Sequence, residues 1–366
     1  MAYRSHVRPR VNTDDSTARL TCPLCAATYR AHFACCPADG TRLQPCPRAP
    51  LTGKTLARRY LIEGFLGEGA MGVVYRARDT LNRRTIAIKV LHGELAADTR
   101  HRLRLAREFT MMRRLRHPNL IAAIGYSLDP WGPPHLVMEY SHGETLRETI
   151  ERAAPVSAPA TVDLGCQLAS ALSHVHAAGL VHRDLKPENV ILQRSRQSSS
   201  VPRIIDFGLA ISRHELSHPS ARLTAAGYAM GTPSYLAPEQ VQQRSVDHRA
   251  DLFSLGLILY ELLVGRTPFD GTILQVIQGR ISSAIPPMRE RNPAALVAPP
   301  LEAIVRRLLS TDPDRRFQTA HELLIALDGV GRGRLASCDR SSPDGASSGA
   351  ASGRVRAAVV VPFHRR

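Results

Sequence analysis

The stretch LGEGAMGVVY, residues 66–75, is the part of the sequence that most constrains the fold. Apolar and β-branched residues flank its three glycines, a pattern that predicts two strands joined by a tight turn. A dinucleotide-binding glycine motif runs from a strand into a helix, so this hairpin indicates a different kind of glycine loop. Glycines allow backbone N–H groups to approach phosphate oxygens without an intervening side chain. Alone, the pattern is compatible with a nucleotide site or with a plain turn.

The next predicted strand, Thr85–Leu91, carries an unusual lysine. Of the 48 basic side chains only three are lysines, Lys54, Lys89 and Lys186, which leaves 45 arginines. An ammonium is a compact point charge, whereas a guanidinium is a wide planar fork, so arginine cannot replace lysine where space is tight. The alternation of the strand places Ala87 and Lys89 on one face, toward the hairpin. Lys89 is therefore a candidate catalytic or ligand-binding residue. The alternative is that a lysine occurs here by chance in an arginine-rich sequence.

A helix is predicted over residues 102–115, directly after this strand. Glu108 is the single acid among the arginines of this segment. Pairing between Glu108 and Lys89 would satisfy both charges. Further along, residues 182–189 read HRDLKPEN and combine a lysine with two acids and an amide.

Length and composition restrict the class of protein. The 366 residues suffice for one large domain or two ordinary ones. Apolar runs are much shorter than the roughly 18 residues of a spanning helix, and the N-terminus does not resemble a signal peptide, so we expect a cytoplasmic protein without a membrane anchor. Seven cysteines, an odd number, favour thiols or metal ligands over disulfides. The net charge of +16 is spread along the chain without a binding motif, so nucleic acid is not an expected partner.

Shifts in composition divide the chain into five parts. We expect a disordered N-terminus (residues 1–20), a cysteine-rich module (21–46), a proline-containing linker (47–59), a folded domain (60–328) and a disordered basic tail rich in Gly, Ser and Arg (329–366).

The cysteine-rich module resembles a short zinc ribbon. Cys22 and Cys25 have the spacing of one ligand turn, and Cys36 begins a second turn in which Asp39 stands where a fourth cysteine is expected. The fourth zinc ligand is thus open among Asp39, Cys35, His32 and Cys46. A redox-active thiol cluster and unliganded buried thiols are the alternatives. If zinc binds, we expect a module of this kind to serve in protein interaction or sensing rather than in DNA recognition.

Six further motifs follow the glycine hairpin and Lys89 in a fixed order. They are HPN (117–119), LVMEY (136–140), HRDLKPEN (182–189), DFG (206–208), GTP (231–233) and APE (237–239). This series resembles protein kinases, specifically the bacterial serine/threonine kinases of eukaryotic type. The resemblance implies an α+β, two-lobed protein kinase fold, with a β-rich N-lobe and a helical C-lobe, here preceded by the zinc-ribbon-like module. It also implies transfer of the ATP γ-phosphate to Ser or Thr hydroxyls of protein substrates, with Mg²⁺ or Mn²⁺.

The resemblance assigns catalytic roles residue by residue. Lys89, positioned by Glu108, would hold the α- and β-phosphates. Asp184 would accept or orient the proton of the substrate hydroxyl, and Lys186 would offset charge on the γ-phosphate. The alternative for Asp184 is a loop carboxylate that caps its own turn.

The resemblance also implies the metal and ATP contacts. Asn189 and Asp206 would hold magnesium through oxygen ligands. A solvated acid at the end of a buried strand is the alternative for Asp206. Met138 would close the back of the adenine pocket. The predicted ATP-binding residues are Leu66, Gly67, Glu68, Gly69, Ala70, Met71, Gly72, Val73, Val74, Ala87, Lys89, Met138, Glu139, Tyr140 and Leu192.

Other motif residues are expected to support the fold. Asp251 resembles the buried acid that holds the catalytic loop by its backbone. Glu239 is expected to pair with Arg316, with the adjacent Arg315 as the alternative. His182 and Phe207 are expected to pack between the lobes.

The segment between Asp206 and Glu239 is expected to regulate the enzyme. Thr224 resembles an autophosphorylated position, with Ser220 as the alternative, and a homodimer is considered as the autophosphorylating species. The competing function is a binding protein, either a pseudokinase scaffold or a nucleic-acid-associated factor. Intact Lys89, Asp184 and Asp206 argue against a pseudokinase.

Overall fold

The computed structural model describes residues 19–21, 28–30, 34–36, 40–45, 51–69, 72–129, 132–194, 200–206, 211–212, 235–242, 244–282 and 285–338. Structural statements below refer to these residues.

A small antiparallel sheet lies near the N-terminus. It contains β1 (Arg19–Thr21), β2 (Thr28–Arg30) and β3 (Gln44–Pro45), in the order β2-β1-β3. The Cys36 N–H donates to the Thr41 carbonyl at 2.7 Å, and the Cys36 carbonyl accepts from the Gly40 N–H at 2.8 Å. The Cys36 side chain is buried, whereas Cys35 is exposed. The other residues weighed as zinc ligands, Cys22, Cys25, His32, Asp39 and Cys46, lie outside the described residues.

The N-lobe is built on a six-stranded antiparallel sheet. Its strands are β4 (Thr55–Leu56), β5 (Tyr60–Gly69), β6 (Gly72–Asp79), β7 (Thr85–Leu91), β8 (Ala123–Ser127) and β9 (His135–Glu139), in the order β4-β5-β6-β7-β9-β8. The glycine hairpin predicted from the sequence is the β5–β6 connection, and β7 has the predicted bounds. Ile62, Tyr75, Ile88 and Val137 form the centre of a small apolar core on this sheet.

Two helices, α1 (Gly93–Ala97) and α2 (Thr99–Met112), connect β7 to β8. The sequence predicted a helix over residues 102–115, but α2 begins and ends three residues earlier. The reason for the early start is local, because Asp98 caps the helix by accepting a hydrogen bond from the Arg100 N–H at 2.8 Å.

Residues 51–59, predicted as linker, belong partly to the sheet. Thr55 and Leu56 pair with β5, and Leu56 is buried. Arg59 makes a two-pronged ion pair with Asp79 at the end of β6, with distances of 2.9 and 2.6 Å. The predicted C-terminal bound of the linker is therefore corrected, because cross-strand pairing joins these residues to the domain. A proline-rich composition does not reveal such pairing.

The C-lobe begins with short strands around the candidate site. These are β10 (Glu144–Thr145), β11 (Leu180–Val181), β12 (Val190–Arg194), β13 (Ser200–Ile204) and β14 (Ile211–Ser212). β12 pairs with β10 and β13, and β11 pairs with β14. The β12–β13 hairpin places the start of β12 next to the end of β13. Asp206, which follows β13, therefore lies close to the residues that precede β12.

Helices form the rest of the C-lobe. They are α3 (Leu146–Ala153), α4 (Ala158–Ala177), α5 (Pro238–Val241), α6 (Arg249–Val264), α7 (Ile273–Ser282), α8 (Met288–Arg291), α9 (Pro299–Leu308) and α10 (Ala320–Cys338). All but the first residue of α6 are buried, so this helix forms the centre of the lobe. None of the helices in the described ranges is long and apolar enough to cross a bilayer.

The C-terminal boundary of the domain is also corrected. The sequence placed it at residue 328, with a disordered tail from 329, whereas α10 continues to Cys338. Glycines such as Gly329 and Gly331 disfavour a helix when considered alone. Packing against α4 provides the missing stability: a Cβ added at Gly331 would lie 3.5 Å from the Val162 side chain, which is ordinary contact.

Candidate active site

The glycine hairpin lies close to the neighbouring strand. A Cβ built on Gly72 would lie 2.1 Å from the Val90 carbonyl oxygen, so this position has no room for a side chain. Gly69 pairs with Gly72 across the hairpin, and the His92 Nε2 lies 2.9 Å from the Gly69 carbonyl oxygen. Ala70 and Met71, at the tip, lie outside the described residues. Sequence reasoning missed His92, because no local pattern links it to the loop.

Lys89 lies between two carboxylates. Its Nζ is 2.8 Å from Oδ1 of Asp206 and 3.7 Å from Oε1 of Glu108. Lys89 and Glu108 are both buried, whereas 37% of the Asp206 side chain is exposed. The predicted pairing of Lys89 with Glu108 is present, and Asp206 is an additional, closer partner.

The protonation of this group follows from burial and charge. Burial lowers the pKa of Lys89, but the nearby carboxylates of Asp206 and Glu108 outweigh it and raise the pKa above the ordinary value. Burial raises the pKa of Glu108, opposed by the charge of Lys89. Lys89 is therefore a fixed cation at neutral pH, which suits a group that holds phosphate oxygens.

The loop that contains Asp184 is held by its own side chains. The Asn189 Nδ2 donates to the Asp184 carbonyl at 2.8 Å and to its Oδ2 at 3.1 Å. The Lys186 ammonium lies 3.1 Å from the same Oδ2. Burial lowers the pKa of Lys186, but the Asp184 carboxylate outweighs it and raises the pKa. Asp184, Lys186 and Asn189 thus form one compact polar group.

This group is joined directly to the strand that leads to Asp206. The Ile205 N–H donates to the Asn189 carbonyl at 3.0 Å, next to Asp206 in the chain. The Asn189 amide nitrogen is already engaged by Asp184, so its amide oxygen is the atom that remains for a metal. Asn189 and Asp206 therefore fit a hard cation that also binds phosphate oxygens. No cluster of three or more His, Cys, Asp or Glu side chains suited to a metal occurs among the described residues.

Asp251 at the start of α6 anchors the catalytic loop, as expected. Its carboxylate accepts the backbone N–H of His182 at 2.8 Å and of Arg183 at 2.7 Å, and lies 2.8 Å from Nε2 of His176. Burial raises the pKa of Asp251, but these donors and the histidines outweigh it and lower the pKa. Arg183 has a positive φ of 66°, a conformation uncommon for a non-glycine residue. The anchored carboxylate stabilises this turn.

The predicted adenine pocket is apolar. Ala87 on β7 is the cross-strand partner of Met138 on β9, and both are buried, as is Leu192 on β12. Leu66, Val74 and Tyr140 pack against the same apolar cluster. Glu139 pairs with Arg203, a contact not predicted from the sequence.

Residues 235–242 are tied to the C-lobe. Arg316 is the partner of Glu239, with two bonds of 2.7 and 2.8 Å, and is fully buried. The alternative, Arg315, is exposed and lies 3.6 Å from Asp312. Gln240 donates to the Arg183 carbonyl at 2.9 Å, so this region also touches the catalytic loop. Phe207, Ser220, Thr224 and Thr232 lie outside the described residues.

A sheet lobe and a helical lobe that meet at Lys89, Asp184 and Asp206 define a protein kinase domain. The protein kinase domain family matches residues 60–325, and the chain belongs to this family. The predicted two-lobed fold is thereby confirmed, whereas the zinc-binding character of the N-terminal module is not tested by the described residues.

Curated relatives include bacterial serine/threonine-protein kinases. The chain is 36% identical over 283 residues to serine/threonine-protein kinase pkn3 of Myxococcus xanthus, covering 77% of this chain and 52% of the relative. It is 35% identical over 288 residues to PknB of Mycolicibacterium smegmatis, covering 77% and 44%. The chain thus spans about half the length of the curated relatives it matches. The crystal structure of the Mycobacterium tuberculosis PknI kinase domain is similar, with a TM-score of 0.57 and 27% identity, covering 77% of this chain and 98% of that one.

Proposed function

We propose that the chain is an active serine/threonine protein kinase that transfers the γ-phosphate of ATP to hydroxyl groups of proteins. The observation that carries the proposal is the buried Lys89 between Asp206 and Glu108, next to the Asp184 group. The family match and the relatives' names support the same activity.

Some of these residues would bind the nucleotide, and others would act on the substrate hydroxyl and the transferred phosphate. Lys89 would hold the α- and β-phosphates, and the backbone of the glycine hairpin would cover them, since glycines leave its N–H groups free of side chains. When bound, Mg²⁺ would neutralise phosphate charge, held by the oxygens of Asn189 and Asp206. Asp184 would orient the substrate hydroxyl and accept its proton, while Lys186 offsets negative charge on the transferred group.

The competing function is a kinase-like binding protein without activity. An inactive protein of this kind would lack one of the residues predicted to bind phosphate or metal or to orient the substrate. The chain keeps all four of them: Lys89, Asp184, Asn189 and Asp206. Lys186 and residues 231–233 resemble the corresponding residues of serine/threonine kinases. This resemblance favours a Ser or Thr hydroxyl as the phosphate acceptor.

The direct test is phosphate transfer by the whole chain. Purified protein with ATP, Mg²⁺ and a generic basic protein should form ADP and phosphoserine or phosphothreonine. Asp184→Asn should retain ATP binding and lose transfer. Wild-type protein that binds ATP but forms no phosphorylated product under these conditions would reject the kinase proposal in favour of the binding protein.

We also propose that the N-terminal module binds one zinc ion through Cys22, Cys25 and Cys36, with Asp39 as the fourth ligand. The spacing of the cysteines and the hydrogen bonds of the Cys36 backbone to Gly40 and Thr41 support this. Elemental analysis of the whole chain, purified without chelator, should find one zinc per chain, and Cys22→Ser should lose it. Absence of stoichiometric metal from the wild-type chain would refute the proposal.

A further inference from the structure

A histidine outside the kinase motifs joins the glycine hairpin to the chain that leads to α2. His92 follows the last residue of β7 and precedes α1. Its Nε2 lies 2.9 Å from the Gly69 carbonyl oxygen and 3.6 Å from Oε1 of Glu68. Its side chain is 33% exposed. The imidazole therefore lies beside two consecutive residues at the end of β5.

The chemistry of the Gly69 contact fixes which nitrogen of His92 carries a proton. A carbonyl oxygen only accepts hydrogen bonds, so the His92 Nε2 must donate to Gly69. The neutral imidazole with its proton on Nε2 makes this bond without a charge. The carboxylate of Glu68, also an acceptor, favours a proton on the same nitrogen.

The contact lies where the backbone pairing of the sheet ends. β6 lies between β5 and β7, and its first residue, Gly72, pairs with Gly69 on one side and with Leu91 on the other. These are the last backbone pairs at this end of both strand pairs. His92 comes next in the chain, so its side chain reaches from the end of β7 across β6 to β5. The root of the hairpin is thereby held beyond the point at which the backbone pairing stops.

The backbone of His92 is fixed separately from its side chain. The His92 carbonyl accepts the Ala96 N–H at 2.8 Å, at the start of α1. Lys89 lies three positions before His92, on the strand that pairs with β6. A hairpin held by His92 is therefore fixed relative to the lysine that is predicted to hold the α- and β-phosphates.

We propose that His92 is a positioning residue for ATP, because its imidazole holds the root of the glycine hairpin in place before the nucleotide binds. The inference rests on the proposed kinase function. A hairpin that is already held loses less conformational freedom when ATP binds, so the contact increases the affinity for ATP. In the described part of the chain, His92 makes no hydrogen bond or ion pair with Asp184 or Lys186. Its effect is therefore directed to ATP and not to the protein substrate.

Two substitutions separate the hydrogen bond from the shape of the ring. His92→Phe keeps a planar ring but has no donor, so it removes the bond to Gly69. His92→Gln places an amide nitrogen as many bonds from the backbone as the imidazole Nε2, and this nitrogen can donate to the same carbonyl. His92→Gln should therefore retain what His92→Phe loses.

The matched control is His101→Phe. His101 lies in the same region, on α2, and its Nδ1 is 3.3 Å from Oδ2 of Asp98. Within the described ranges it makes no hydrogen bond or ion pair with the hairpin. This variant therefore removes a histidine beside a carboxylate without changing the contact to Gly69.

Binding of a non-hydrolysable ATP analogue with Mg²⁺ to the whole chain measures the effect without phosphate transfer. The dissociation constant should rise about fivefold in His92→Phe and less than about twofold in His92→Gln and His101→Phe. In kinetic assays the KM for ATP should follow the same order. The kcat and the KM for a protein substrate should stay within about twofold in all three variants.

Amide hydrogen exchange of the nucleotide-free chain gives a readout that does not depend on kinase activity. Exchange in residues 66–75 should accelerate in His92→Phe and keep the wild-type rate in His92→Gln. Unchanged ATP affinity or unchanged exchange in His92→Phe would overturn the inference, as would equal losses in His92→Phe and His92→Gln. A wild-type chain that binds the analogue but transfers no phosphate would reject the proposed function alone, since binding and exchange would still test the role of His92.

Discussion

The Lys89 ammonium lies 2.8 Å from the carboxylate of Asp206 and 3.7 Å from that of Glu108, although Asp206 is 117 positions further along the chain. The contact joins the sheet lobe to the strand that ends the β12–β13 hairpin. It places one buried cation between the two lobes, at the position where phosphates of a nucleotide are expected. It also explains why one of only three lysines stands here.

Lys89→Arg should abolish phosphate transfer while the fold is retained. The larger planar guanidinium cannot occupy the space between Asp206 and Glu108 and still hold two phosphates. We expect at least about a 100-fold loss of kcat, as for other buried groups that stabilise developing charge. Phosphate transfer and thermal unfolding should be measured together. The exposed Lys54 provides the matched control, since Lys54→Arg should be fully active; an active Lys89→Arg variant would contradict the assignment.

Gly72→Ala should weaken ATP binding. The added Cβ would lie 2.1 Å from the Val90 carbonyl oxygen, so the hairpin must shift away from its neighbouring strand. We expect the dissociation constant for a non-hydrolysable ATP analogue, measured by calorimetry, to rise about tenfold. Gly64 on the same hairpin has no atom within 4 Å of an added Cβ, so Gly64→Ala should bind normally. Equal effects of the two substitutions would show that steric crowding at Gly72 is not the cause.

Arg316→Leu should strongly destabilise the domain. It would leave Glu239 buried without its partner, a change that costs about 3–5 kcal/mol in the free energy of unfolding. The neighbouring Arg315→Leu should change this free energy by less than about 1 kcal/mol, because Arg315 is exposed. Urea denaturation of both variants tests the difference. A loss of similar size in both would contradict the distinct roles of these adjacent arginines.

The stability of the domain should fall as pH rises from about 4.5 to about 8. Burial beside other glutamates raises the pKa of Glu151 from 4.5 to about 8, although Arg147 opposes the shift. The folded chain therefore binds a proton in this range that the unfolded chain releases, and stability decreases with pH until Glu151 ionises. Glu151→Gln should remove this contribution, on the order of 2–4 kcal/mol across the range.

The control for this pH dependence is Glu290→Gln on α8, where the side chain is exposed. Urea denaturation at a series of pH values should give the wild-type slope for this control and a smaller slope for Glu151→Gln. Identical slopes for wild type and Glu151→Gln would contradict the prediction.

The segment between Asp206 and Glu239 should carry a phosphate at Thr224. Residues 213–234 lie outside the described residues, so this prediction rests on the sequence resemblance. An added phosphate would form one to three charge-assisted hydrogen bonds with arginines such as Arg183. After incubation with ATP and Mg²⁺, mass spectrometry should find the modification at Thr224, and Thr224→Ala should slow substrate phosphorylation more than Ser220→Ala. A fully active enzyme without any modification in this segment would disprove the prediction.

The sequence by itself determined the features that depend on neighbouring residues. The glycine hairpin, the bounds of β7 and the order of the motifs follow from local patterns of apolar, glycine and charged residues. Two pairs were also predicted: Lys89 with Glu108, because Glu108 is the single acid in an arginine-rich helix, and Glu239 with Arg316, because the resemblance to a known family supplied the partner.

Only the tertiary structure determined contacts between segments that have no shared pattern. The Lys89–Asp206 pair, the His92 contact to the Gly69 carbonyl and the ion pairs of Arg147 with Glu188 and Glu261 bring together groups that are distant in sequence. The extension of α10 to Cys338 likewise depends on packing against α4. Two physical reasons apply to the charged groups and to the helix. A buried charge needs a partner, and a glycine-containing helix needs a packing surface, but local sequence does not specify which distant segment will provide either.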